Sequence, residues 1–409
     1  MRISAEALAD PARDDRYHRQ SLIPWWDQAR VARTRVLVVG AGALGNEILK
    51  LLALIGCGDT LVFDPDVIER SNLSRTVLFR ASDEGQPKAG AAVRAMRDLN
   101  PDVRAHAHAT NVLIAAGLGA FAWADVVIGA VDNREARVFI NGACARVGKA
   151  WVDGAIEGLA GVVRVFEPAT GACYECTMNA TDRRLLAERR SCALLARDAV
   201  ARGHVPTSAV AASVIGAMQV EEAIKLVHGQ PTLVGGGLHV DGLWSEASRV
   251  TYPRRADCPG HEHLGPLTPL GLGVADVTLG ALLDRAEAAL GPGAALDLSR
   301  DVIVRLSCPS CGDAAPGRAV LGAVRESQAA CPRCRTHRVV EIASSISRDG
   351  DVDLALTPAD LGLPPWDVIV ARAGLEAQQA WVFDGDAAAV LGPLAGSDAG
   401  AAGSRESAR

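Results

Sequence analysis

The stretch Arg35-Val-Leu-Val-Val-Gly-Ala-Gly-Ala-Leu-Gly45 constrains the fold more than any other part of the chain. Val36-Leu-Val-Val39 is continuously apolar rather than alternating, which predicts a short strand covered on both faces. Gly40, Gly42 and Gly45 then permit a tight turn into a helix running towards Ile55. They also let a ligand phosphate approach the backbone at the helix N-terminus. A second short strand, Thr60-Leu-Val-Phe63, ends at Asp64, about 20 residues on, where a carboxylate can accept ribose hydroxyls. Further strands near Ala105–Ala109 and over Val126-Val-Ile-Gly129 alternate with helices around Ala89–Leu99 and Glu135–Val147. This order predicts an α/β chain with a doubly wound, mostly parallel Rossmann-like sheet.

The pattern changes after Trp151. A strand at Val162–Phe166, a helix over about Ser208–Val227 and strands at Leu238–Trp244 and Ser248–Tyr252 complete a first unit, residues 1–263. This unit opens with a helical arm over 1–33 and includes a charged crossover segment at about 177–207. Residues 264–273, rich in Gly, Pro and Leu, read as a linker. Residues 274–386 read as a smaller α+β domain, with a helix at Leu279–Leu290 and strands near Val352–Leu356, Val368–Arg372 and Ala380–Phe383. Residues 387–409, dominated by Ala, Gly and Ser, read as a flexible tail.

Ten cysteines stand in a chain of 409 residues. The N-terminal stretch carries acidic residues and lacks a long apolar core, so it does not read as a secretory signal. The longest apolar runs fall short of the ~18–20 residues that span a bilayer, so a cytoplasmic chain without a membrane partner is expected. In that setting Cys-x-x-Cys pairs point to metal or redox chemistry rather than disulfides. Cys308/Cys311 and Cys331/Cys334 have the spacing of a zinc ribbon. Cys173/Cys176 has a candidate mate in Cys258-Pro-Gly-His261, with His263 as the other candidate ligand. Three thiolates and one imidazole, or four thiolates, close a tetrahedral Zn²⁺ site and leave no catalytic position. The ribbon lacks an interleaved aromatic and basic pattern, and the net charge is −6, so nucleic acid is not expected as a partner. Cys57 and Cys144 read as small core residues. Cys192 differs: it follows Glu-Arg189-Arg190-Ser191, whose arginines would favour a thiolate, although an incidental surface thiol is the plain alternative.

The glycine loop alone would fit nicotinamide binding. The downstream residues fit it poorly: Asp64-Pro-Asp66, then Asn72-Leu-Ser-Arg75, Gly85-Gln-Pro-Lys88 and Asp132-Asn133. Two cations and an amide for phosphates, with an acid after a strand, suit ATP chemistry, in which charge developing at phosphorus is offset by fixed donors and Mg²⁺. Singly, each residue has a structural alternative; Asn133, for one, could cap the next helix.

In this order the motifs resemble the ThiF/MoeB adenylating enzymes, which include the ubiquitin-activating enzymes, over about residues 16–261. The resemblance implies that Gly40, Gly42 and Gly45 form the nucleotide loop and Asp64 holds the ribose. It implies that Asn72, Arg75 and Lys88 contact phosphates, with Asp66 beside them, and that Asp132 binds Mg²⁺. Arg19 matches an arginine inserted into the partner's site, which implies a homodimer. Cys192 matches, in order, the thioester cysteine of ubiquitin-activating relatives. Thr76 departs from the glutamine that often follows the arginine. The implied reaction is adenylation of the C-terminus of a ubiquitin-like protein, then a thioester on Cys192 and transfer to a conjugating enzyme. A bacterial ubiquitin-like conjugation pathway, including one of antiphage defence, would suit such a chain. Adenylation of a sulfur carrier without an obligatory thioester, and a non-catalytic scaffold role, are the alternatives.

Overall fold

The computed structural model describes residues 16–184, 206–324, 326–374 and 376–396. The strand expected ahead of the glycine turn is present as β1 (Arg35–Val39), and its side chains divide by period two. Val36 and Val38 enter one apolar core and Leu37 and Val39 another, so both faces are covered as the unbroken apolar run required. Around it lie β2 (Asp59–Phe63), β3 (Arg104–His108), β4 (Val126–Gly129) and β5 (Trp151–Glu157), all parallel, in the order 3-2-1-4-5. The sheet continues antiparallel through β6 (Ala160–Phe166), β7 (Gly236–Asp241) and β8 (Glu246–Thr251).

Two short helices, α1 (His18–Ser21) and α2 (Gln28–Val31), lead in. On one face, α3 (Ala43–Leu54), α4 (Lys88–Leu99) and, after the crossover, α8 (Ala209–His228) pack Leu52, Met96 and Ile215 against Val36, Val38 and Ile128. On the other face lie α5 (Val112–Ala115), α6 (Leu118–Trp123) and α7 (Arg134–Arg146). Here Phe121 and Ile140 join Leu37, Phe63 and Trp151.

A second, six-stranded sheet is built from β9 (Leu267–Pro269), β10 (Ala295–Ser307), β11 (Ala314–Val320), β12 (Val339–Ile346), β13 (Val368–Ala373) and β14 (Ala377–Val382). Its order is 11-10-13-14-9, with β12 paired to β10. Helix α9 (Leu279–Leu290) covers it through Leu282, Leu283 and Ala286.

Three expectations are corrected. The linker at 264–273 contributes β9, which pairs in parallel with β14. Val352–Leu356 forms no strand; the carbonyls of Leu354 and Leu356 instead accept the first amides of α9, from Gly280 and Leu279. The tail does not begin at Ala387: residues 387–391 form α10, a 3₁₀ turn runs over Gly392–Leu394, and Val390, Leu391 and Leu394 are buried on the first sheet. Ala-rich sequence that looks simple is also strong helix-forming sequence, and the Val-Leu at its end gives it something to bury.

The two sheets are locked together by buried polar contacts. Asp367 is fully buried, accepts the Leu118 amide and the Ser299 hydroxyl, and pairs with Arg300 at 3.5 Å. Arg300 donates to the carbonyls of Leu113 and Ala116, each at 2.8 Å. No helix among the described residues is long and apolar enough to cross a membrane.

Candidate nucleotide and metal sites

The strand order reverses between β1 and β4, and the loops leaving these two strands part to opposite faces. Such a switch point is where open α/β sheets bind ligands, beyond the C-terminal ends of the strands. The glycine loop leaves β1 there, Asp64 follows β2, and Asp132 lies three residues beyond β4.

Two of the three glycines are demanded by the protein itself. Gly40 has φ +101°, and a Cβ on it would lie 2.4 Å from the Ala130 carbonyl oxygen. A Cβ on Gly45 would lie 2.1 Å from the Gly40 oxygen. Gly42, the N-cap of α3, differs: a Cβ there would meet no atom of the described residues within 4 Å. The protein leaves a bare backbone facing open space at a helix N-terminus, which fits the close approach of a phosphate.

Asp64 is buried, and its carboxylate ties the loop together: Oδ2 accepts the Ala41 amide at 2.6 Å and Oδ1 the Asp66 amide at 2.8 Å. Each carboxylate oxygen retains acceptor capacity for a further donor such as a ribose hydroxyl. Burial pushes the Asp64 carboxyl up, and the two amides and Lys88 offset only part of that. Asn46, buried in α3, donates to the carbonyls of Ala41 and Gly42 and accepts the Leu78 amide, anchoring the loop from below.

Lys88 Nζ, on the first residue of α4, lies 2.9 Å from Asp66 Oδ2. Asn72 is buried in a 3₁₀ turn over Arg70–Ser74, where its Oδ1 accepts the Glu69 amide and its NH₂ remains a donor. Arg75 follows that turn and uses Nη1 on the Ser71 carbonyl, leaving other guanidinium donors. Thr76 hydrogen-bonds the Asn72 carbonyl, so this departure from the family pattern has a structural use. Asn133 caps α7 by accepting the Ala136 amide, and Asp132 beside it is exposed.

Arg19 is not brought to this site. It sits on α1, whose neighbour Gln20 donates to the Ile55 carbonyl at the far end of α3. Twelve helical residues, about 18 Å of rise, separate that end from the glycine loop. Cys192 lies outside the described residues.

Sequence reading missed a buried network beneath the site. Asp153 on β5 is fully buried between Arg137 at 2.9 Å and Arg164. Gln219 of α8 donates to the Gly129 carbonyl. The available signal was Arg137 itself, a charge set between Ala136 and Val138 on the buried face of α7.

Both expected metal clusters are assembled. Cys173 Sγ lies 3.8 Å from Cys176 Sγ and 3.6 Å from Cys258 Sγ, and His261 Nε2 lies 3.1 Å from Cys176 Sγ. His261 Nδ1 donates to the Pro168 carbonyl at 3.0 Å, which turns Nε2 towards the sulfurs. His263 instead accepts the Gly265 amide, so His261 is the histidine of the cluster. The second cluster joins Cys308 to Cys334 at 3.4 Å, and Cys311 to Cys331 and to Cys334, each at 3.6 Å. These separations exceed the ~2.05 Å of a disulfide. They match the ~3.8 Å edge of a tetrahedron with Zn–S bonds of ~2.3 Å. Burial raises the Cys176 thiol, but hydrogen bonds from the Arg255 and Cys173 amides oppose it, and the thiol lies at about 7. The donor sets fit zinc, with no position left open for a substrate. Cys57 and Cys144 are fully buried in apolar surroundings.

Residues 16–260 match the ThiF family. The chain belongs to that family. As a ThiF-family adenylyltransferase it is 34% identical, over 260 residues, to the sulfur carrier protein adenylyltransferase of Thermus thermophilus, covering 60% of this chain and 89% of the relative. It is 33% identical to the SAMP-activating enzyme E1 of Haloferax volcanii, over 61% of this chain and 89% of that one. The ubiquitin-like modifier-activating enzyme 5 of Dictyostelium discoideum is 29% identical over 204 residues, 46% of this chain and 51% of that one. Among solved structures, Escherichia coli MccB with ATP shares the fold with a TM-score of 0.52 at 20% identity, over 64% of this chain and 77% of that chain. The domain carrying the four-cysteine cluster lies beyond the ThiF match.

Proposed function

We propose that this ThiF-family protein uses ATP to adenylate the C-terminal carboxylate of a ubiquitin-like or sulfur-carrier protein. The observation that carries the reading is the open backbone at Gly42, tied through Ala41 to the buried Asp64 carboxylate at the sheet's switch point. In this reading the amides at the start of α3 receive phosphate and Asp64 receives the ribose. Asn72, Arg75 and Lys88 bind the phosphates, with Lys88 oriented by Asp66. Asp132 would hold Mg²⁺, which when bound offsets charge on the phosphates. The substrate carboxylate attacks the α-phosphorus, the bond to the bridging oxygen breaks, and pyrophosphate leaves. The fixed cations stabilise the charge that develops.

Arg19 points this reading towards a homodimer. It lies beside the end of α3 far from its own loop, which is compatible with its serving the site of a second copy, as the family resemblance implies. After adenylation the thiolate of Cys192 attacks the acyl carbonyl, the carbon–oxygen bond to phosphate breaks, and AMP leaves. The thioester passes to a conjugating enzyme, in a cytoplasmic pathway of the bacterial ubiquitin-like type, with antiphage defence as one setting. The similarity to the Thermus enzyme favours a second reading, in which the adenylate goes to sulfur transfer and Cys192 is dispensable.

Non-reducing gels of the protein with ATP, Mg²⁺ and candidate ubiquitin-like proteins separate the two. The thioester reading expects a thiol-sensitive adduct that Cys192→Ala abolishes. An adduct that survives Cys192→Ala removes Cys192 from the reaction. Adenylate formation with no adduct supports sulfur transfer.

A further inference from the structure

We infer that Gln219, Arg137 and Asp153 are positioning residues that set the place of the Asp132 carboxylate; the inference rests on the reading of Asp132 as the Mg²⁺-binding group. Asp132 is exposed, and among the described residues its carboxylate accepts one hydrogen bond, from Asn133 Nδ2 at a long 3.3 Å. Its side chain is therefore poorly held, and where it stands depends on the backbone of residues 129–131.

That backbone is gripped at each successive residue. The Gly129 carbonyl accepts Gln219 Nε2 at 2.8 Å, from α8 on one face of the sheet. The Ala130 amide donates to the Val39 carbonyl at 2.8 Å, and the Ala130 oxygen lies against Gly40. The Val131 carbonyl accepts Arg137 Nη2 at 2.6 Å, from α7 on the opposite face. Arg137 is in turn fixed by Asp153 Oδ1 at 2.9 Å, and Asp153 by Arg164 through its other oxygen. The loop is held from both layers at once, next to the glycine turn that would receive the phosphates.

The chemistry of Gln219 argues that the grip matters. It is fully buried, yet among the described residues its Oε1 has no hydrogen-bond partner. An unpaired buried acceptor is costly, and an apolar side chain on α8 would avoid it. What the amide provides and an apolar residue cannot is the single donor on the Gly129 carbonyl. Asp153 likewise buries a charge whose partner, Arg137, reaches the loop with the fork that a lysine lacks.

The test separates metal affinity from nucleotide affinity. Mg²⁺ is titrated into the full-length protein with α,β-methylene ATP, and AMP binding is measured separately without metal. Gln219→Met removes the donor at similar volume, and Arg137→Lys keeps the charge opposite Asp153 but loses the fork. Arg300→Lys is the control, since Arg300 is also a buried arginine holding loop carbonyls, but at the junction of the two sheets. Small misplacements of a reacting group are expensive, so each of the first two variants should raise the Mg²⁺ needed for half-saturation about tenfold. AMP affinity should change less than about twofold, and Arg300→Lys should leave both values unchanged. An unchanged Mg²⁺ requirement in a folded variant overturns the inference, as does a parallel loss of AMP binding. Asp132→Asn tells the two levels apart. If it does not weaken Mg²⁺ binding, the reading of Asp132 fails. If it does while Gln219→Met and Arg137→Lys do not, only the positioning role fails.

Discussion

The carboxylate of Asp64 accepts the amide of Ala41 across 2.6 Å, joining the end of β2 to the glycine loop that leaves β1. One side chain thus serves two ends: it closes the loop, and it presents a buried anion where a ribose would lie. Asp64→Asn places an NH₂ against one of two backbone amides that now donate to it. Losing that hydrogen bond destabilises the loop while removing the buried charge relieves it, so the two effects on stability oppose each other, and the expected outcome is weaker AMP binding measured by calorimetry.

The pH dependence of that residue has a defined sign. Burial raises the Asp64 carboxyl above its ordinary value, so the folded chain holds this proton more tightly than the unfolded chain does. Its contribution to stability is fully present below the unfolded value of about 3.9 and is lost as pH rises through the raised folded value. In the proposed reading the ionised carboxylate accepts the ribose hydroxyls, so AMP affinity should fall on acidification through a limb lying above ~3.9. In Asp64→Asn that limb should vanish.

Gly42 and Gly45 should separate folding from binding. A Cβ at Gly45 collides with the Gly40 oxygen, so Gly45→Ala should lower the melting temperature markedly. Gly42→Ala meets no atom of the described residues and should cost less than about 1 kcal/mol, the usual scale of an N-cap change. Its effect should fall on ATP affinity. Scanning calorimetry with and without nucleotide reads both.

Zinc content tests the two clusters independently. The full chain should carry at least two zinc ions, since two four-ligand groups are assembled among the described residues. Cys258→Ser or His261→Ala should release one of them, Cys308→Ser the other, and His263→Ala neither, by elemental analysis of purified protein.

Much of this was legible in the residues. The unbroken Val36–Val39 run carried the parallel sheet, because only a strand covered on both faces needs apolar side chains on both. The cysteine spacings carried both clusters, because a knuckle is a local object. What was hidden depends on contacts distant in sequence. The Arg137–Asp153–Arg164 network looks in sequence like three surface charges. The partnership of Asp367 with Leu118 spans 249 positions. The short helix at 387–391 was obscured by an alanine-rich composition that suits a solvated tail as well as a packed helix, and only the neighbouring sheet decides between them. Cys192, the most pointed chemical expectation, falls outside the described residues.

The most direct test of the central claim is ATP–pyrophosphate exchange by the full-length protein with a panel of ubiquitin-like and sulfur-carrier proteins ending in free carboxylates. The account predicts exchange that depends on one or more of these proteins, persists in Cys192→Ala, and falls by about 10²-fold or more in Asp132→Ala and Lys88→Ala. Exchange that is undiminished in both Asp132→Ala and Lys88→Ala would contradict it.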